Sequence, residues 1–181
     1  MKQTKTEFLE KSESSQAESE KTYQWINEYS DNRKECILNT EDYFLVPDVK
    51  WNMKDMKLFY GICFSKDKSI LSIRSLNKIH LPLLYKMKSE VLQYIKEKVG
   101  LKESEIIIYC HYLPSFYHFH IHFTSIYYPL LGRNNMLGKA VLLDDIIRNI
   151  EMFDDYYQKC DMMISVGSSH GLYSLFKSIS N

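Results

Sequence analysis

Tyr117-His118-Phe119-His120-Ile121-His122-Phe123 is the stretch on which the reading of this chain turns. Successive side chains of a β-strand point to opposite faces. As a strand, this segment sets His118, His120 and His122 along one face and sends Phe119, Ile121 and Phe123 into a core on the other. The chain has 6 histidines, and another of them, His111, stands just upstream. Buried imidazoles need hydrogen-bond partners, so packing alone explains a row of three poorly. A half-buried strand that happens to carry histidines is the plain alternative. Zinc is a second one, since H-x-H on a strand can chelate it once a further ligand joins. No carboxylate partner is evident nearby in the sequence. The third is nucleophilic attack at phosphorus. A neutral imidazole, with an unperturbed pKa near ~6.5, is a good nucleophile at neutral pH. Neighbouring rings disfavour one another's protonation. A hydrogen bond from Nδ1 to a backbone carbonyl would leave Nε2 free to attack, while the outer rings donate to phosphate oxygens or to the leaving group. That scheme needs neither metal nor cofactor.

A chain of 181 residues is expected to form one domain. Its 45% hydrophobic content, with 14 tyrosines and 9 phenylalanines, can fill a core. The 23 basic and 23 acidic side chains cancel. A long nucleic acid is therefore not expected as the main ligand, because binding its backbone means neutralising many phosphates. A short, highly charged fragment held by a few local cations fits. Cys36, Cys63, Cys110 and Cys160 are scattered, with no C-x-x-C pair, and Cys63 and Cys110 lie within apolar runs as buried thiols. That usage suggests a reducing compartment. No signal peptide or membrane-length apolar run is present, so no membrane partner is expected.

Residues 1–21 are polar and read as a disordered tail or linker remnant, and 22–181 as the compact body. Glu18 to Arg33 can form a helix. Cys36–Asn39, Tyr43–Val46 and Leu58–Phe64 read as strands, with Pro47 limiting the second. Leu84, Met87, Val91, Ile95 and Val99 recur at helical spacing within Asn77–Val99, and Gly100 is a stop signal. Glu105–Leu113 and Tyr117–Tyr128 are expected strands. Leu137–Phe153 is an expected amphipathic helix with Leu142, Ile146, Asn149 and Ile150 on one side, and Met162–Val166 a last strand before a short helix. The order implies α+β: an antiparallel sheet with one long helix and further helices packed on it.

Three segments resemble one family. H-x-H-x-H with apolar spacers is the histidine triad signature. His111-Tyr-Leu-Pro-Ser-Phe-Tyr-His-Phe-His-Ile-His-Phe-Thr124 is similar to the active-site segment of the scavenger mRNA decapping enzymes. So are Val46-Pro-Asp-Val-Lys-Trp-Asn52 and Ser72-Ile-Arg-Ser-Leu76 followed by His80-Leu-Pro-Leu-Leu84, in the same order. The resemblance covers roughly residues 22 to 180 and implies the histidine triad fold. It also implies hydrolysis of the triphosphate bridge of a 7-methylguanosine cap dinucleotide or short capped RNA. His120 matches the nucleophile that forms a covalent nucleotidyl-histidine, His118 and His122 orient it and hold phosphate oxygens, and His111 contacts the phosphate chain near the leaving side.

The resemblance also implies a cap pocket. Trp25 matches the stacking tryptophan, where a cationic methylated base over an indole gains ~0.5–2 kcal/mol. Val49 covers the other face of the base, and Glu35, Asp48 and the Pro47 carbonyl accept hydrogen bonds from its edge. Lys50, Tyr60, Ser115 and Lys139 fall where the family contacts phosphates. Phe116 stands where a tyrosine is common, and Lys139 where an arginine is common, without the forked donor geometry. Family members usually carry a further N-terminal domain that closes over the cap. A polar tail precedes Trp25 here, so a more open pocket with weaker binding and turnover is expected. The family reading implies a homodimer acting in the cytoplasm and also in the nucleus. Its rivals are another histidine triad hydrolase, acting on dinucleoside polyphosphates or phosphoramidates, and a cap-binding module with low turnover.

Overall fold

The computed structural model describes residues 2–3, 36–129 and 138–164. Six strands make one antiparallel sheet: β2 (Leu38–Asn39), β3 (Tyr43–Pro47), β4 (Tyr60–Ser65), β5 (Ile106–His111), β6 (His120–Ser125) and β7 (Ala140–Leu142). Their spatial order is β2-β3-β4-β6-β5-β7, which puts the histidine strand β6 inside the sheet. β1 (Lys2–Gln3), within the stretch expected to be a tail, pairs with β8 (Met162–Met163). The expected helix over 18–33 and the closing helix lie outside the described residues.

Alternation divides the sheet. Leu45, Cys63, Ile121 and Phe123 are fully buried on the face that carries the helices. There they join Leu84, Met87 and Val91 of α1 (Leu81–Tyr94) and Leu143, Ile146 and Ile150 of α2 (Leu143–Met152). Each such aliphatic side chain contributes roughly 1.5–3 kcal/mol on burial. Pro82 sits in the first turn of α1, as its missing N–H allows. The helix continues as a wider turn over Ile95–Val99 and stops at Gly100, whose φ of 81° suits a residue without Cβ. A third helix, α3 (Tyr156–Lys159), is short. The opposite face holds a smaller apolar cluster of Phe44, Val46 and Phe64, with Phe116 against it. The chain's α+β reading with an antiparallel sheet is what the structure has.

Two expectations are corrected. The helix expected to begin at Leu137 begins at Leu143, since Ala140–Leu142 forms the edge strand β7 against Tyr109–His111. Leu142 is consequently half exposed, while Leu143, Ile146, Ile147 and Ile150 carry the buried helical stripe. The strand expected over Tyr117–Tyr128 is shorter. The backbone at Phe119 bonds outward instead, its N–H to the Ile70 carbonyl at 2.8 Å and its C=O to the Ser65 N–H at 3.1 Å.

Gly61 sits where β4 passes Phe59 and Leu45. A Cβ there would lie 2.9 Å from Phe59 Cζ and 3.1 Å from Leu45 Cδ1. Gly61→Ala should therefore cost about 1–3 kcal/mol through overpacking. Urea unfolding should show it as a lower midpoint with an unchanged slope. An unmoved midpoint would mean that β4 does not pass this close.

Candidate active site

The site is built on one strand pair and the loop that feeds it. β4 and β6 set Phe64 opposite His120 and Ile62 opposite His122. β5 sets Tyr109 opposite His122 and carries His111 two residues on. Three of the imidazoles thus converge. His111 and His122 have ring centroids 4.5 Å apart, and His120 and His122 5.2 Å apart. His118, His120 and His122 are all buried.

Carbonyl acceptors settle two of the rings, because a carbonyl cannot donate. The Nε2–H of His118 donates to the Ser65 carbonyl at 2.6 Å. His118 is thereby turned onto the end of β4 as an anchor. The Nδ1–H of His120 donates to the His118 carbonyl at 2.7 Å. A neutral imidazole has one N–H, so Nε2 of His120 keeps its lone pair. The Phe116 ring lies nearly parallel over His120, with centroids 4.5 Å apart and 22° between planes. His122 stacks on Tyr109 at 5.0 Å, and its Nδ1 lies 3.1 Å from the Tyr60 hydroxyl. Nε2 of His111 and Nε2 of His122 are buried with no hydrogen-bond partner among the described residues.

Burial dominates the electrostatics. It pushes His120 down from 6.5 to about 4, with His111 and His118 adding to the effect and the bond to the His118 carbonyl opposing it. His111 also falls to about 4, first through burial and then through Lys50 and Lys139. His122 lies well below its ordinary value through burial, His120, His111 and Lys50. Burial lowers His118 too, against its bond to Ser65. Mutual repulsion of the rings, the cause expected from sequence, is secondary to desolvation. The positive charge belongs to Lys50 and Lys139, which flank the neutral rings.

The remaining expected residues are placed as follows. Asp48 is buried, and its Oδ1 accepts the Lys50 N–H at 2.8 Å, with acceptor capacity left over. Tyr128 donates to the Lys50 carbonyl at 3.0 Å and braces the same turn. Val49 is 87% exposed, so one of its faces is available to a planar ligand. Pro47 ends β3, and Ser115 is exposed on the loop before the triad. Tyr60 is buried against His122. Lys139 lies in the turn before β7 and not at a helix start, and its carbonyl accepts the Tyr112 N–H at 2.6 Å. Trp25 and Glu35 lie outside the described residues. No metal-holding group of histidine, cysteine and carboxylate side chains occurs among the described residues. No helix there is long and apolar enough to cross a membrane.

Sequence reading passed over Arg74, Tyr109 and Thr124. Arg74 is buried, donating from Nε to the Tyr112 hydroxyl at 2.9 Å and from Nη1 to the Tyr157 and Cys160 carbonyls at 2.7 and 2.6 Å. It ties α3 to the residue after His111. Thr124 continues the alternation of His120 and His122, a signal that was open to reading.

A family described as the scavenger mRNA decapping enzyme C-terminal binding region matches residues 22–138. The chain belongs to the scavenger mRNA decapping enzyme family. An m7GpppX diphosphatase of Ascaris suum is 38% identical over 135 residues, which are 74% of this chain and 44% of the relative. The Homo sapiens m7GpppX diphosphatase is 29% identical over 161 residues, 85% of this chain and 47% of the relative. The chain thus spans about half the length of these curated relatives. The solved structure of Hnt3 in complex with DNA and guanosine superposes with a TM-score of 0.51 at 15% identity, over 85% of this chain and 93% of that one. That likeness is one of fold. Trp25 and Glu35 fall inside the span matched to the decapping family.

The low His120 value makes folding pH-dependent. Unfolded imidazole titrates near 6.5 and folded His120 near 4, so the unfolded chain binds more protons between these values. Stability should be full above about pH 6.5, fall as the pH drops toward 4, and level off below, by on the order of 3 kcal/mol for this one ring. Denaturant midpoints at pH 7.5, 5.5 and 4.5 read this, and His120→Asn should flatten the slope. A wild-type slope that His120→Asn leaves unchanged would exclude His120 as its source.

Proposed function

We propose that this chain hydrolyses the triphosphate bridge of a 7-methylguanosine cap dinucleotide or short capped RNA, releasing 7-methylguanosine monophosphate. The observation that carries the reading is the hydrogen bond from His120 Nδ1 to the His118 carbonyl at 2.7 Å. It aims the lone pair of a buried, neutral imidazole outward, beside two histidines whose Nε2 atoms are unpartnered among the described residues. In the first step Nε2 of His120 forms a bond to the phosphorus next to the methylated nucleoside. The bond from that phosphorus to its bridging oxygen breaks, and the diphosphate portion leaves with the bonding electron pair. Water then attacks the phosphorus, the N–P bond breaks, and the monophosphate is released. Lys50, Lys139 and His111 hold the phosphate chain, with Ser115 at its rim. Trp25 and Val49 sandwich the base, and Glu35, Asp48 and the Pro47 carbonyl read its edge. Two copies of the chain pair as a homodimer. The reaction takes place in the cytoplasm and in the nucleus.

Methylated and unmethylated cap dinucleotides, assayed side by side with product identification, test the reading. Hydrolysis should favour the methylated cap strongly and persist in a chelator. Equal rates would instead indicate a general dinucleoside polyphosphate hydrolase. His120→Ala should cut turnover by orders of magnitude while binding is largely kept, because the lost stabilisation belongs to the transition state. Substantial turnover by that variant would remove His120 as the covalent residue.

Recognition is tested separately. Trp25→Ala should weaken methylated cap far more than unmethylated guanine nucleotides, and Glu35→Ala and Asp48→Ala should each lose roughly 1–3 kcal/mol of binding. Calorimetry with both ligands decides it: equal losses for the two would assign these residues to the fold.

A further inference from the structure

Beyond the triad itself, a line of buried hydroxyls runs into the back of His122. Thr124 Oγ1 donates to the Tyr109 hydroxyl at 3.4 Å. The Tyr109 and Tyr60 hydroxyls are 3.4 Å apart. The Tyr60 hydroxyl is 3.1 Å from Nδ1 of His122. All four residues are buried. These spacings are long for hydroxyl partners, so each link is weak by itself. Their direction, however, follows from counting protons.

Tyr109 accepts from Thr124, and its own proton then needs an acceptor. Among the described residues the Tyr60 oxygen is the acceptor that the geometry supplies. Once Tyr60 accepts from Tyr109, its proton is directed to Nδ1 of His122. In the reverse arrangement His122 Nδ1–H would donate to Tyr60 and Tyr60 to Tyr109, which would then accept twice. The Tyr109 proton would be stranded in the interior, a costly outcome for a buried donor. With Thr124 donating, every hydroxyl finds an acceptor in one direction only, and the single donor left over is Nε2–H of His122.

We infer that Thr124, Tyr109 and Tyr60 form a one-way hydrogen-bond relay that places the proton of neutral His122 on Nε2. His120 and His122, two residues apart on one strand, then hold opposite tautomers. His120 presents a lone pair, and His122 presents an N–H from the atom that is buried without a partner among the described residues. Tyr60, Tyr109 and Thr124 are positioning residues for that donor. The use of the donor, toward a phosphate oxygen or the leaving oxygen, rests on the cap-hydrolysis reading, whereas the tautomer does not.

Long-range proton–nitrogen NMR of the imidazoles reads the tautomers directly in the full, ligand-free chain at pH 7.5, with His122→Gln assigning its signals. Wild type should show the Nε2–H form for His122 and the Nδ1–H form for His120. Tyr60→Phe keeps the ring and removes the donor. It should move His122 toward a mixture of tautomers and lower kcat roughly tenfold or more, up to the ~10²–10⁴-fold that acid–base catalysis contributes. Tyr109→Phe and Thr124→Val should move the same signals by less, and Thr124→Ser should restore them. An Nδ1–H form of His122 in wild type overturns the relay. So does a Tyr60→Phe variant that keeps the Nε2–H form and raises only KM for cap dinucleotide, which would assign Tyr60 to the phosphates. If the expected tautomers appear in a chain that does not cleave cap, the relay stands and the cap-hydrolysis reading falls.

Discussion

A buried imidazole kept neutral has one proton for two nitrogens, and the site follows from where that proton is held. For His120 the holder is the carbonyl two residues earlier, at 2.7 Å. The contact is local, yet the carbonyl must be fixed from elsewhere. The His118 ring is pinned to the Ser65 carbonyl, and the Phe119 backbone is tied to Ile70 and Ser65. The loop preceding β6 is therefore clamped to the end of β4 from two sides. β6 begins at His120, since Phe119 before it divides its backbone bonds between the last residue of β4 and the Ile70 loop.

Burial and charge are divided between different residues. The rings lose solvent to Phe64, Phe116 and Tyr109 packed around them, and burial leads the causes that hold His111, His118, His120 and His122 low. Cation on His111 would be further disfavoured by Lys50 and Lys139, and on His122 by Lys50. A phenylalanine at 116 supplies stacking area to His120 without a hydroxyl that would compete for its lone pair. Lys50 and Lys139 flank the cluster, so attraction of a polyanion would not require protonating His120.

Much of this was legible because strand alternation is a two-residue rule. It placed Phe119, Ile121 and Phe123 in the core and the imidazoles opposite, and the apolar repeat from Leu84 to Ile95 marked the long helix. The same rule was not carried to Thr124 and Tyr109, whose hydroxyls meet only through pairing between β5 and β6. Edge strand β7 was missed for a physical reason. Three residues with one exposed leucine carry no period of their own, and what makes them a strand is the backbone of Tyr109–His111 beside them. Arg74 was likewise silent, since the two carbonyls it meets lie 83 and 86 residues away along the chain.

The neutrality of the site would also bear on the binding of a phosphate chain in the proposed reaction. An anion near an imidazole favours its charged form, whereas continued burial disfavours it. His122 is under pressure to stay neutral from burial first, and then from His120, His111 and Lys50. Phosphate oxygens would relieve that pressure without abolishing it, so an N–H on Nε2 can be shared with an anionic oxygen before it is given up. His120 meets the opposite requirement, because protonation of its Nε2 would remove the lone pair. Holding its Nδ1–H on a backbone carbonyl keeps the His120 lone pair on Nε2, on a ring 5.2 Å from His122, centre to centre.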